Sequence, residues 1–323
     1  MIDQFLMESM NIMKKSVIAA AVAAFVVSPV SFAGVKFSGQ VNSIAILDSD
    51  RDDIEVADNE HSGSRFRFTA DKEFSSLKVG AHYEIQLQDN DSLSLEDDLP
   101  DGGGEVRYST VWLSGDFGKI SIGKGNSATE DTFEAHGFLG HYLAQDLTWL
   151  AVNGSLDNPI AYRGQDGLSR VNRVRYDSPN FSGFTFAASQ INGGTTDVAA
   201  RYKGKLFGGG IVARVGFSDA DDDALSRTQG SVAYKTPFGL GLGYSYGEND
   251  ADFDTNWLNI TYQVGKTVFS FGTGDDSNDN EQTVLGVNYK PTKGVEIYLN
   301  TVDAENADGT EPSATYIGSR VKF

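Results

Sequence analysis

From Gly34 onward the apolar positions of this chain recur at every second residue. Leu77, Val79, Ala81, Tyr83, Ile85 and Leu87 fall on one side of an extended segment, with Lys78, Gly80, His82, Glu84, Gln86 and Gln88 on the other. The same split returns at Leu240/Leu242/Tyr244/Tyr246, at Leu258/Ile260/Tyr262/Val264 and at Leu285/Val287/Tyr289. A period of two marks strands with unlike faces. The pattern predicts about sixteen strands, beginning near Val35, Ser64, Leu77, Val106, Lys119, Arg170, Phe184, Val198, Gly209, Arg227, Leu240, Trp257, Thr267, Gln282, Val295 and Ser313. Short turns between Glu130 and Leu150 are the only helical expectation, so the fold class is all-β.

The connections come in two kinds that take turns. Gly115–Gly118, Pro179–Gly183, Leu206–Gly208, Thr236–Gly239, Gly265–Lys266 and Pro291–Gly294 are short and built from Gly, Pro and Phe. Asp48–Asn59, Asp89–Glu105, Asp219–Ser226, Glu248–Asn256, Asp275–Glu281 and Asp303–Glu311 are longer and acidic. In an antiparallel up-and-down meander, successive connections lie at opposite ends of the sheet. One end therefore carries tight turns and the other long charged loops, the asymmetry of a transmembrane β-barrel. Many segments run close to the roughly 9–11 residues needed to cross a tilted bilayer. Polar residues on the second face would be unsatisfied in a dry core and argue for a wet interior. Aromatics beside the tight turns (Phe74, Phe117, Tyr176, Phe181, Phe207, Tyr234, Phe238, Tyr289) are placed for an interfacial girdle.

Composition narrows the functional classes. Among 323 residues, 26 Lys+Arg stand against 45 Asp+Glu, a net charge of −19, which argues against nucleic acid as a partner. With no cysteine there is no disulfide scaffold, thiolate metal site or thiol nucleophile. The four histidines fit no metal-ligand spacing, and no nucleophile elbow, phosphate loop or paired-carboxylate signature occurs. No cofactor, metal or catalytic residue is expected, and the chain does not read as an enzyme.

Met13-Lys14-Lys15, the apolar run Val17–Val27 and Ser31-Phe32-Ala33 read as a secretory signal peptide over 1–33, with Met13 as the natural initiator and a mature barrel domain over 34–323. The protein is therefore expected to leave the cytoplasm, and the absence of cysteine suits an envelope protein.

Several segments are similar to a known family. Val35–Asn42 resembles the first strand of the general diffusion porins of Gram-negative outer membranes. Trp112–Lys124 resembles their fourth strand, tight turn and fifth strand; Asn172–Gly183 resembles the sixth strand and its turn. Val321-Lys322-Phe323 resembles the terminal strand whose last aromatic, here Phe323, the barrel-assembly machinery reads.

The resemblance implies a sixteen-stranded barrel, usually a homotrimer in outer-membrane lipid and lipopolysaccharide, that passes small hydrophilic solutes without energy input. It implies further that the third external loop, here within Gly125–Leu168, folds into the lumen and narrows it. On this basis Glu130, Asp131 and Glu134 are the expected loop acids at the constriction. The positions matching the family's basic wall are Arg65, Arg67, Arg107, Arg173 and Arg175, and with Phe66 and Phe68 on the lipid face Arg65 and Arg67 point into the lumen. Opposed charges would set a transverse field that favours small polar solutes. The acidic loops lead to an expectation of weak cation preference. Two alternatives remain open at this stage: a substrate-selective porin for a sugar or an anion, and a secreted carbohydrate-binding or adhesive β-protein.

Overall fold

The computed structural model describes residues 34–48, 54–59, 62–87, 104–139, 167–220 and 226–323. The expected signal peptide, most of the acidic stretch Asp89–Glu105 and residues 140–166 lie outside them. The strands are β1 (Val35–Asp48), β2 (Glu55–Asp58), β3 (Arg65–Phe74), β4 (Leu77–Leu87), β5 (Gly104–Gly115) and β6 (Gly118–Asn126). After a one-turn helix α1 (His136–Leu139) come β7 (Arg170–Asp177), β8 (Phe184–Ile191), β9 (Thr196–Leu206), β10 (Gly209–Asp219), β11 (Arg227–Lys235) and β12 (Leu240–Asn249). The chain ends with β13 (Asp254–Val264), β14 (Thr267–Asp276), β15 (Glu281–Thr292), β16 (Val295–Glu305) and β17 (Ser313–Lys322).

From β3 to β17 each strand pairs antiparallel with the next. β17 then pairs with β1, from Gln40↔Lys322 to Asp48↔Ala314, which closes the sheet on itself. The other edge of β1 carries both β2 and β3. These two pieces form one interrupted wall strand, so the barrel has sixteen. The pattern-based strand starts agree with the structure to within three residues, with one correction. The second strand was expected to begin at Ser64, and Glu55–Asp58 was assigned to an acidic connection; the structure pairs those residues with Ser43–Ile46 of β1. Glu55-Val56-Ala57-Asp58 places two apolar residues side by side between acids, so it carries no period-two signal.

The break between β2 and β3 leaves backbone carbonyls that side chains must satisfy. Gln40 Nε2 donates to the carbonyls of Ser62 (2.5 Å) and Gly63 (3.1 Å). Asn42 Nδ2 donates to the Ser62 carbonyl at 3.2 Å.

The two faces are inverted relative to a water-soluble protein. Val111, Ile122, Val174, Phe186, Val198, Phe217, Phe269, Leu285 and Ile317 point outward and are exposed. Asn42, Glu84, Gln86, Ser218, Gln229, Ser245, Asn259, Asn288 and Asn300 point inward and are buried. In a hydrocarbon surround this is the stable arrangement, since closure pairs the backbone and the lumen takes the polar side chains. At the tight-turn end, Phe74, Phe117, Phe181, Phe207 and Phe238 are exposed. Tyr176 Oη donates to the Phe117 carbonyl (2.7 Å) and Tyr234 Oη to that of Leu206 (3.0 Å), fixing rings across adjacent turns. At the seam, Phe323 and Gly39 exchange two backbone hydrogen bonds (2.9 and 3.0 Å), and the Phe323 ring lies 6.1 Å from those of Phe37 and Phe66.

Inside the seam Tyr298 of β16 lies flat over Gly318 of β17; a Cβ at Gly318 would fall 2.3 Å from the ring. Its hydroxyl donates to Asn42 Oδ1 (2.7 Å) and accepts from Asn59 Nδ2 (2.9 Å), tying β16 to β1 and the end of β2. Gly318→Val is expected to expel this ring and lower the unfolding free energy in detergent by about 1–3 kcal/mol, the usual cost of overpacking. A denaturation midpoint equal to that of the wild type would refute the packing role.

Candidate functional site

The inner-face register of β3, β4 and β5 aims several long side chains at one place. Glu84 of β4 is fully buried and accepts from three arginines: Arg65 Nη1 at 3.4 Å, Arg67 Nη2 at 2.5 Å and Arg107 Nε at 3.0 Å. A slip in the β4–β5 register between Glu84 and Ile85 places Arg107 in this group, where its Nη1 also donates to Gln86 Oε1 at 2.7 Å. Arg65 reaches the strand break through the Gly63 carbonyl (2.9 Å) and Ser62 Oγ (3.2 Å). Arg320 of β17 donates to the same Ser62 hydroxyl at 2.6 Å. Three cations share one carboxylate here, so the cluster stays net positive.

The loop after β6 enters the barrel and lies on the opposite inner wall. The amides of Ala128 and Thr129 donate to Ser189 Oγ (2.9 Å) and Asp197 Oδ2 (2.8 Å). Gln229 Nε2 donates to the Thr129 carbonyl (3.1 Å) and Thr132 Oγ1 (2.5 Å), and Ser231 Oγ to the Thr132 carbonyl (2.8 Å). Glycines give the loop room: Cβ atoms at Gly216, Gly241 and Gly243 would meet Thr132, Leu139 and Ala135 at 2.7–2.9 Å. Gly241 and Gly243 of β12 are thus part of the seat of α1.

The loop acids meet arginines, though not the expected ones. Arg201 of β9 binds Asp131 Oδ1 at 2.6 Å and donates to the carbonyls of Ala128 (2.7 Å) and Glu130 (2.8 Å). Arg214, directly opposite Arg201 on β10, donates to the Glu134 carbonyl. Like charges facing each other across a strand pair are destabilising unless an acceptor intervenes, and the loop supplies it. Asp131 takes a φ of 70°, a conformation that Asp tolerates better than most residues. Arg170 lies 3.5 Å from Glu130 Oε1, while Glu130 Oε2 is buried and has no hydrogen-bond partner among the described residues. Burial pushes the Glu130 carboxyl up to about 7 against the pull of Arg170, with Glu134 and Asp131 adding to the rise.

Each expected residue therefore has a place. Arg65, Arg67 and Arg107 converge, but on Glu84 and not on the loop acids. Arg173 donates to the carbonyls of Gly123 and Asn126 (2.9 Å each). Arg175 binds Asp177 (2.6 Å) and the Ser127 carbonyl, so this pair holds the exit from β6 into the loop. Glu84, Arg170, Arg201, Arg214 and Asp197 were not anticipated. Their sequence signal is a charged residue within a strand, mostly on the polar face, which by itself names no partner. Trp257, Tyr298 and Tyr316 also occupy inner positions, yet each is only 1% exposed, so none offers a ring face to a passing sugar.

Residues 18–309 match the family described as Gram-negative porin. The chain belongs to that family. It is 28% identical over 369 aligned positions to the outer membrane porin protein 32 of Delftia acidovorans, covering 95% of each chain. An anion-selective porin from Comamonas acidovorans shares the fold with a TM-score of 0.60 at 17% identity, over 90% of this chain and 99% of that one. A loop-deletion mutant of OmpT, an outer membrane protein of Vibrio cholerae, gives the same TM-score, identity and coverage. A Rhodopseudomonas blastica porin mutant matches at 14% identity with a TM-score of 0.64, covering 90% and 100%. The protein is a passive diffusion channel of the Gram-negative outer membrane. Family and fold are those of a channel rather than an enzyme.

Two outcomes follow for this porin. Glu84→Gln removes the one carboxylate shared by three arginines. It is expected to cost about 1–3 kcal/mol in detergent unfolding, below the value for a fully dry ion pair because Arg67 is 44% exposed. A variant as stable as wild type would dismiss Glu84 as the anchor. Glu130, whose folded pKa is raised, stabilises the channel most below the ordinary carboxylate range and loses that contribution as pH rises through about 7. Conductance between pH 5.5 and 8.5 should show a titration near neutrality that Glu130→Gln abolishes; persistence of that titration in the variant would assign it elsewhere.

Proposed function

We propose that residues 127–139 narrow this pore and that the resulting belt favours small anionic solutes. In this reading Arg65, Arg67, Arg107, Arg173 and Arg175 are the basic wall, extended by Arg170, Arg201 and Arg214. Glu130, Asp131 and Glu134 are the loop acids. One observation carries the sign: among the described residues of this belt, eight arginines stand against six carboxylates (Glu84, Glu130, Asp131, Glu134, Asp177 and Asp197). Burial raises the pKa of Glu130, which lowers the negative charge it brings to the belt near neutral pH. Charges on the external loops reach the belt through salt solution, which screens them within about 8 Å. The −19 net charge is therefore a poor guide to the selective step, and the cation preference it suggested gives way. The anion-selective porin with the same fold supports this sign.

Assembly of three copies and recognition of Phe323 by the barrel-assembly machinery belong to the same proposal. They rest on the family resemblance and on the position of Phe323 at the closing seam.

The test is the zero-current potential across a salt gradient in planar bilayers. It should carry the anion sign, and Arg65→Ala and Arg107→Ala should each lower the anion-to-cation permeability ratio several-fold without altering heat-modifiable migration. A clear cation sign would overturn the proposal.

A further inference from the structure

Lysine and arginine are segregated along this barrel. Arginines in the strands sit in the wall, whereas of the twelve lysines beyond residue 33 all except Lys124 lie in or within four residues of a tight turn or at the terminal ends of β1 and β17. Register sets the direction of several of them. Lys203, Lys235, Lys290 and Lys322 share strand parity with the buried inner residues Ala199, Ala233, Asn288 and Arg320, so they lean toward the lumen at its tight-turn mouth.

Three lysines meet at one built place. A cavity of about 420 Å³ is lined by Lys266, Lys290, Lys293, Glu296 and the Pro291–Gly294 turn. The β15–β16 register slips between Tyr289 and Thr292 at this point, and such irregularities re-aim side chains. Lys266 Nζ donates to the Pro291 carbonyl at 2.5 Å, which fixes one ammonium at the cavity wall. Among the described residues, Glu296 is the one acid lining the cavity. It lies 3.8 Å from Lys290 and is already bound by Arg320, whose Nε donates to it at 3.0 Å. Lys293 has no salt bridge among the described residues, and Lys322 adjoins through its amide on the Gly294 carbonyl (2.7 Å). The cluster is thus left with more positive charge than its own acid neutralises, on flexible stems that can close around an anion.

We propose that this cavity binds a multivalent phosphate-type oxyanion at the tight-turn mouth, which faces the periplasm in a barrel of this kind. The phosphate group could belong to a free solute or to a lipid headgroup at the membrane edge, and the shared chemistry is charge-assisted hydrogen bonding to ammonium groups. The site is separate from the belt described above and does not depend on its selectivity.

Inorganic pyrophosphate is the probe, added to either side of single channels in zwitterionic planar bilayers. Block should appear from one side at a concentration at least tenfold lower than from the other. The combined substitution Lys266→Gln, Lys290→Gln and Lys293→Gln should remove this asymmetry while leaving KCl conductance within about twofold, whereas Arg107→Ala should retain it. In phosphatidylglycerol bilayers, a block that persists supports a free phosphate, and a block that disappears there alone supports occupation by the headgroup. Absence of block in zwitterionic bilayers, equal block from both sides, or an unchanged asymmetry in the triple variant would each overturn the site. None of these outcomes alters the sign of the zero-current potential, so the two proposals fail separately.

Discussion

Backbone satisfaction governs this molecule. Hydrocarbon offers no partner to an amide or a carbonyl, so a sheet that crosses it must close. Closure falls to β1, which pairs with β17 along one edge and with β2 and β3 along the other. The interruption between β2 and β3 is tolerated because the freed carbonyls face the lumen, where Gln40 and Asn42 reach them. The same defect on the outer face would meet only lipid. Polar inner residues in this barrel thus help to satisfy its backbone hydrogen bonding, and a pore is what remains when they line an enclosed space too wide for them to fill.

The inserted loop follows from the same requirement. Three of its amides pair inside the loop, Thr132 with the Thr129 carbonyl, Glu134 with that of Asp131 and Ala135 with that of Phe133. The wall supplies further partners: Ser189 and Asp197 for amides, Gln229, Ser231, Arg201 and Arg214 for carbonyls. Small residues at Gly216, Gly241 and Gly243 bring the loop close enough for these bonds. The loop inside the barrel is therefore fixed by hydrogen bonds along residues 128–134, and its charged groups are held with it.

Much of the fold was legible because period-two alternation and alternating turn chemistry are local signals repeated sixteen times. Where a signal was short or shared, legibility failed. Glu55–Asp58 resembled its acidic flanks, and its pairing with β1 depends on a side-chain network spread from Gln40 to Arg320. The arginines were readable as inner-face residues, yet their partners were not. Which carboxylate Arg201 binds depends on where the loop lies, and that is set by glycines and polar side chains of strands far along the chain. Glu84 shows the limit plainly: one acid among polar neighbours in β4, distinguished only after barrel closure brings Arg65, Arg67 and Arg107 around it.

The distribution of cations carries the argument one step further. Guanidinium groups occupy the wall, where a rigid fork can satisfy two or three acceptors at once, as Arg201 and Arg175 do. Ammonium groups occupy the tight-turn rim, where a hydrated point charge on a long stem can stay in water while its methylenes cover apolar surface. Carboxylates concentrate in the long loops at the other end. An anion entering from the loop side first meets repulsion and then the arginine belt; one entering from the rim meets attraction at once. Net charge sums these regions into a single number and hides their order along the axis. For a channel, that order determines the barrier a solute crosses.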